Sequence, residues 1–177
     1  MINTLKRFRN FYLKNIKWKE YQIGKNFHSG RGVQIWGKTK IVIGDNFYIG
    51  RYSQIECNTT IGDNVIIGNF AALVGKYDHN YKQIGVPIRL SSQIRSCDYN
   101  WLGVDSEVVI EDDVWLGYGV IVISGVRICK GSIVAAGSIV TKDIEPYSIY
   151  GGNPARFIKK RFTINEQEEH ELKLKST

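Results

Sequence analysis

The chain has 177 residues, enough for one domain with a sizeable core and too few for two ordinary ones. It holds 24 Ile and 14 Val against 8 Leu and 5 Ala, so side chains that suit extended backbone dominate and an all-α fold is disfavoured. The 43% hydrophobic fraction excludes a disordered chain, and no apolar run of about 18 residues exists to span a membrane.

The net charge of +7 is concentrated at the two ends. Residues 1–20 carry six basic side chains and one acid, the segment 156–161 adds four cations, and the 135 residues of the body balance at twelve of each sign. A neutral body argues against nucleic acid as a partner. Leu5, Phe8, Tyr12 and Ile16 recur at helical spacing among Lys6, Arg7, Arg9, Lys14, Lys17 and Lys19. This predicts a basic amphipathic N-terminal helix over 1–22. Two readings stay open and are compatible: a cap over an open β edge, and peripheral membrane contact through residues 1–20. No apolar signal region follows the N-terminus, and Cys57, Cys97 and Cys129 are odd in number and widely spaced. The expected location is therefore cytoplasmic, with membrane association as the helix's variant, and no metal site is expected.

From residue 23 a repeat takes over. Ile43, Ile49, Ile55, Ile61, Ile67 and Leu73 fall six apart, and Ile110, Leu116, Val122, Ile128, Val134 and Val140 resume the series. Four residues after most anchors stands a small or branched side chain (Ser53, Thr59, Val65, Ala71, Val114, Val120, Val126, Ser132, Ser138), and glycine often follows the anchor. Period six fits neither a plain sheet nor a helix. It predicts a solenoid of short parallel strands, three per coil of 18 residues, with four clean coils and a ragged start over 23–42. About five coils at ~4.8 Å would make a column roughly 25 Å tall.

The second half carries the most specific motifs: Ile110-Glu111-Asp112-Asp113-Val114-Trp115-Leu116-Gly117, Gly125-Val126-Arg127-Ile128, Ala136-Gly137-Ser138-Ile139-Val140-Thr141-Lys142-Asp143 and Gly151-Gly152-Asn153-Pro154-Ala155-Arg156. Over residues 23–161 the chain resembles the hexapeptide-repeat acyltransferases, in the maltose/galactoside acetyltransferase and polysaccharide O-acetyltransferase branch. The resemblance implies an all-β fold, a single-stranded left-handed parallel β-helix with an extended loop and short terminal helices. The column then occupies 23–155, the loop insertion 74–109, and a basic segment and tail 156–177. Cys129 departs from the pattern, standing where glycine usually follows the anchor, and puts one corner's geometry in question.

The insertion contains Tyr77, Tyr81 and Trp101, too apolar for a linker, so it is expected to fold over a neighbouring surface. His79 stands at its start. Transfer of an acyl group from a thioester to a hydroxyl needs a base near neutral pH, which imidazole supplies. The resemblance assigns that role to His79, with Asn69, Asp78 and Asn80 as candidates for binding the acceptor and Asp78 as a candidate for orienting the ring. No serine or cysteine is visibly paired with the histidine, so direct attack is expected rather than a covalent intermediate.

The resemblance further implies acetyl-CoA as donor, lying along the column between neighbours of a homotrimer. Gly117, Ala135 and Ser138 are the candidates to hold its pantetheine arm, although corner geometry alone would also explain them. Trp115 is expected to point outward, at the thiol end or at a subunit interface. Arg156, Lys159 and Lys160, with Lys142, are candidates for its phosphates. The function so implied is O-acetylation of a saccharide hydroxyl in surface polysaccharide synthesis. The alternatives are N-acetylation of a nucleotide-linked amino sugar, an antibiotic-like acceptor, or a non-catalytic β-helix scaffold.

Overall fold

The computed structural model describes residues 2–175, with side chains from 5 to 174. Residues 1, 176 and 177 of the predicted terminal segments lie outside the described residues. Each six-residue unit forms one short strand and one corner, and the strands stack into three flat faces. The first face stacks Gln22–Ile23, Ile41–Ile43, Asn58–Ile61, Glu107–Ile110 and Val126–Ile128. The second stacks His28–Ser29, Tyr48–Ile49, Ile66–Ile67, Trp115–Leu116, Ile133–Val134 and Ser148–Gly151. The third stacks Gln34–Ile35, Gln54–Glu56, Ala72–Val74, Ile121–Ile123 and Ile139–Val140. All these pairings are parallel, and Arg156–Lys160 closes the second face as an antiparallel edge. The architecture matches the left-handed parallel β-helix.

The period-six anchors make the core. All twelve are at most 2% exposed, and Ser53, Thr59, Ser132 and Ser138 join them inside. Burying a branched aliphatic side chain stabilises a fold by about 1.5–3 kcal/mol, so the ladder supplies the principal driving force. The start of the column is ragged in sequence for a geometric reason. Ile23, Ser29 and Ile35 pair with Ile43, Ile49 and Ile55, twenty residues on, whereas Ile43 pairs with Ile61, eighteen on. Two extra residues between Ile35 and Ile43 widen that corner, and residues 22–35 form a complete coil across all three faces.

Cys129 is explained at the corner between the first and second faces. There the Asp45, Asp63 and Asp112 carboxylates accept the backbone N–H groups of Lys25, Asp45 and Asp63 from the coil before. Each carboxylate occupies the space that a side chain on Gly24, Gly44 or Gly62 would need; a Cβ on Gly62 would lie 2.2 Å from Asp112 Oδ1. One coil further the device changes. The Glu111 carboxylate reaches up to accept the N–H of Lys130 at 3.0 Å, and the corner after Ile128 closes with Cys129 donating to Ile144. The corner keeps its geometry without a glycine.

An α-helix spans Ile2–Tyr12 and ends in a π-turn over Leu13–Lys17. Trp18, 2% exposed, plugs the open end of the column, meeting Phe27 edge-on at 6.0 Å while Phe27 stacks on Phe47 at 5.9 Å. Capping is therefore real, but the predicted stripe does not perform it: Leu5, Phe8, Tyr12 and Ile16 are exposed, as is Phe11 beside them. The helix docks by its polar side. Lys14 donates to the Gly24 carbonyl at 2.6 Å, Arg9 to the Ser29 carbonyl, and Asn10 meets His28 at 3.2 Å. At the other end Ile164–Lys175 is helical, started by a reciprocal cap in which Thr163 N–H and Oγ1 both donate to Glu166. His170 and Arg161 converge on Asp113, and Lys130 pairs with Glu171, so the acidic tail is fastened to the column.

Candidate active site

The column is interrupted once, where the chain leaves Val74 and returns at Glu107. Residues 75–106 contain little regular structure beyond one turn of 3-10 helix at Ile88–Leu90 and an antiparallel bridge between His79 and Gln93. Specific contacts hold this excursion to its own column. The Arg95 guanidinium lies 4.1 Å from the centre of the Trp36 ring and pairs with Glu56. Lys38 donates to the Ser96 carbonyl at 2.6 Å, and the Asn58 amide to the Val104 carbonyl at 2.7 Å. Inside the loop Tyr99 is buried, donating its hydroxyl to the Tyr77 carbonyl and accepting from Gly103 N–H at 3.0 Å. Apart from Tyr99 and Gly103, four residues apart, these partners are distant in sequence, and no local pattern announces them.

His79 is fixed at the mouth of this excursion. Asn80 N–H donates to the Ser92 carbonyl and Ile94 N–H to the Asp78 carbonyl, both at 2.8 Å, so the segment is clamped on either side of the imidazole. Tyr77, Tyr81 and Trp101 of the same excursion form a ring cluster, with centroids 4.9 to 6.5 Å apart. His79 Nδ1 is buried without a hydrogen-bond partner, whereas Nε2 is not enclosed and, among the described residues, has no hydrogen-bond partner. The imidazole therefore meets its surroundings through Nε2.

Asp78 sits against the backbone of Gly75, where a Cβ would lie 1.8 Å from its carboxylate. Burial pushes the Asp78 carboxyl above its ordinary value, and the positive fields of His79 and Arg95 oppose that shift. No hydrogen bond joins Asp78 to the His79 ring among the described residues. The Asn80 carboxamide oxygen accepts Lys82 N–H at 3.2 Å, and that of Asn69 accepts Arg51 N–H at 2.8 Å, which leaves each NH₂ group as the available donor. Asn69 lies on the corner between the second and third faces, whereas the excursion that carries His79 leaves from the end of the third face, and among the described residues no hydrogen bond joins the two. A cavity of about 320 Å³ opens at the root of the excursion, lined by Lys76, Tyr77, Ser106, Ser124 and Thr141 among others.

The donor candidates divide by environment. Trp115 points outward from the second face and is 52% exposed, as its register predicts. Lys142, Arg156 and Lys159 are exposed, and no ion pair engages them among the described residues. Lys160 pairs with Glu145 at 2.8 Å, and Arg161 is taken by Asp113 at 2.7 Å, so the terminal cations are fewer in practice than in sequence. Gly117 is buried, 2.6 Å of Cβ clearance from Ala136 N, and donates its N–H to Val134. The Ser138 hydroxyl is internal, donating to the Ala135 carbonyl at 2.6 Å and accepting from Gly152 N–H at 3.1 Å. These two residues build the corner on which half-buried Ala135 sits. Cys57 is buried, which pushes its thiol up to about 12 and makes it inert.

The family model for bacterial transferase hexapeptide repeats matches residues 40–75 and 107–142, on either side of the excursion. A Lysinibacillus sphaericus protein named "probable macrolide acetyltransferase" is 40% identical over 136 residues, covering 70% of this chain and 74% of that protein. Among solved structures, a Vibrio cholerae hexapeptide-repeat acetyltransferase complexed with acetyl coenzyme A has a TM-score of 0.62 at 25% identity, over 91% of this chain and 85% of that one. A galactoside acetyltransferase in complex with coenzyme A has a TM-score of 0.60 at 28% identity, over 82% of this chain and 67% of that one. Matched in repeat, in fold and across most of a relative's length, the chain belongs to the hexapeptide-repeat transferase family and is an acyltransferase.

Proposed function

We propose that the protein is an acetyl-CoA-dependent O-acetyltransferase acting on a saccharide hydroxyl, with His79 as general base. The observation that carries this reading is the isolated imidazole at the mouth of the excursion, its Nδ1 enclosed and its Nε2 open. Nε2 takes the proton of the acceptor hydroxyl as that oxygen attacks the thioester carbonyl. The tetrahedral oxyanion is held by a backbone N–H, then collapses and expels the coenzyme A thiolate, which recovers the proton from the imidazolium. Atoms and charge balance without a covalent enzyme intermediate.

In this reading Asn69, Asp78 and Asn80 contact the acceptor. Acetyl-CoA lies along the column with Trp115 at its thiol end and Ala135 beside its pantetheine arm, over the corner made by Gly117 and Ser138. Lys142, Arg156 and Lys159 meet its phosphates, and Lys160 contributes if it leaves Glu145. The placement of Asn69 and His79 at different corners of the column, and the exposed Ile84, Ile88 and Leu90 on the excursion, support a homotrimer whose sites lie between subunits. The exposed apolar stripe of the N-terminal helix, flanked by Lys6, Arg7, Lys17 and Lys19, supports peripheral contact with an anionic membrane from the cytoplasmic side, where a surface polysaccharide would be built. Among the described residues no helix is long and apolar enough to cross a membrane.

The relative named for macrolides favours a second reading, an antibiotic-like hydroxyl acceptor. A screen with labelled acetyl-CoA over free sugars, nucleotide sugars, glycolipids, a macrolide and chloramphenicol separates the two. Label on a saccharide hydroxyl is expected. Label on the antibiotics alone, or only on amino sugars carried by nucleotides, overturns the proposal.

A further inference from the structure

The corner between the second and third faces repeats at Gly32, Tyr52, Phe70, Gly119 and Gly137, the last four each donating N–H to the coil before. All five have left-handed backbone, with φ between 57° and 74°. Glycine adopts it freely, whereas a bulky L side chain is strained there. Two coils nonetheless place an aromatic residue at this position, and strained positions of that kind cluster at ligand sites. Tyr52 stacks on Phe70 at 5.3 Å, and Phe70 meets Tyr118 at 5.4 Å. The three rings are 48%, 50% and 57% exposed, so the column carries a continuous aromatic track on its outside. Gly32 gives the track its lower end, since a Cβ there would come within 2.5 Å of the Tyr52 ring.

That lower end opens into a cavity of about 740 Å³ between the corner and the polar side of the N-terminal helix. Lys6, Arg9, His28, Arg31, Arg51 and Tyr52 line it, and among the described residues no acidic side chain does. Among the described residues no ion pair engages Lys6, Arg31 or Arg51, although Arg95, Arg127 and Arg161 are all paired elsewhere. Arg9 donates through Nη2 to the Ser29 carbonyl, and its Nε is buried without a partner. Cations gathered in a concave surface without counter-ions create a positive potential suited to a carboxylate or phosphate. The rings beside them offer flat apolar faces on which the C–H faces of pyranose rings lose contact with water.

We propose that the cavity and the track together bind an acidic oligosaccharide, its carboxylate among Arg9, Arg31 and Arg51 and its following rings on Tyr52, Phe70 and Tyr118. This names the acceptor class of the reading above and rests on that acceptor being a saccharide. A bare anion site would have no use for the track, and a neutral glycan none for the cations.

The test is calorimetric titration of the full chain with tetragalacturonate, with maltotetraose as the neutral control. Tetragalacturonate should bind the wild type at least about tenfold more tightly than maltotetraose does, and Arg31→Gln with Arg51→Gln should remove about tenfold of that affinity. Tyr52→Gly supplies the glycine that three other coils use at this position, so it should fold, weaken tetragalacturonate severalfold and leave acetyl-CoA binding unchanged. Equal affinity for the two oligosaccharides overturns the proposal. So does full competition by inorganic phosphate combined with no effect of Tyr52→Gly, loss of acetyl-CoA affinity in the arginine variant, or phosphatidylglycerol vesicles as the ligand lost with Arg31 and Arg51. Because binding is read without turnover, tetragalacturonate that binds but is not acetylated leaves the site standing and removes the acceptor assignment alone.

Discussion

The column and its excursion solve opposite problems. In the column each coil satisfies the next: anchors are enclosed, strands pair in parallel, and carboxylates such as Asp63 and Asp112 accept N–H groups of the coil before. Residues 75–106 instead rest on a few long-range contacts through Trp36, Lys38, Glu56 and Asn58, and leave Ile84 98% exposed. A self-satisfied repeat has little left with which to do chemistry. An imidazole with one enclosed and one open nitrogen is found where the repeat stops. Stability and function are therefore expected to separate under mutation.

Leu116→Ala should show the column's side of that separation. Leu116 is fully buried between Ile67 and Val134, so the substitution should cost about 2–5 kcal/mol, read as a lower denaturant midpoint for the whole chain. A loss under about 1 kcal/mol would mean that the coils are not one cooperative core. Tyr99→Phe should show the other side. It leaves the Tyr77 carbonyl and the Gly103 N–H without their partner, at a cost of about 1–3 kcal/mol confined to the excursion. Hydrogen exchange should accelerate over 75–106 while the column stays protected, and acetyl transfer should fall. Uniform loss of protection would tie the two regions together.

Asp78→Asn should have the smallest effect. Burial raises the Asp78 carboxyl above its ordinary value, so the folded state prefers the protonated form. That contribution is present at low pH and lost as pH rises through the raised value, so at pH 7 the ionised group weakens the fold slightly. Asn should therefore raise the Tm at pH 7, with the gain vanishing as pH falls below the ordinary carboxylate range. A gain that persists in acid would assign the effect to something other than charge.

Much of this molecule is written in period six. Twelve anchors, the outward Trp115 and the single interruption follow from counting, because each coil repeats one local solution. What counting hid arose from departures in register. The eight-residue step from Ile35 to Ile43 obscured the first coil, and with it the alignment of Arg31 with Arg51 beside the basic cavity. Tyr52 and Phe70 were legible as aromatic residues at positions where Gly119 and Gly137 stand, once coils are laid in register. The helical stripe misled for another reason: hydrophobic spacing finds a face but not its partner, and here Trp18 closes the column while Leu5 and Phe8 face outward. The engagement of Lys160 and Arg161 by Glu145 and Asp113 depends on contacts across coils that charge counting does not see.

The claim that the excursion carries the chemistry on a passive column turns on His79. His79→Ala, assayed by coenzyme A release with the acceptor found in the screen, should lose about a hundred- to ten-thousand-fold in turnover. Its Tm and its affinity for acetyl-CoA should match those of the wild type. Turnover within a fewfold of wild type in that folded, acetyl-CoA-binding variant would contradict the account.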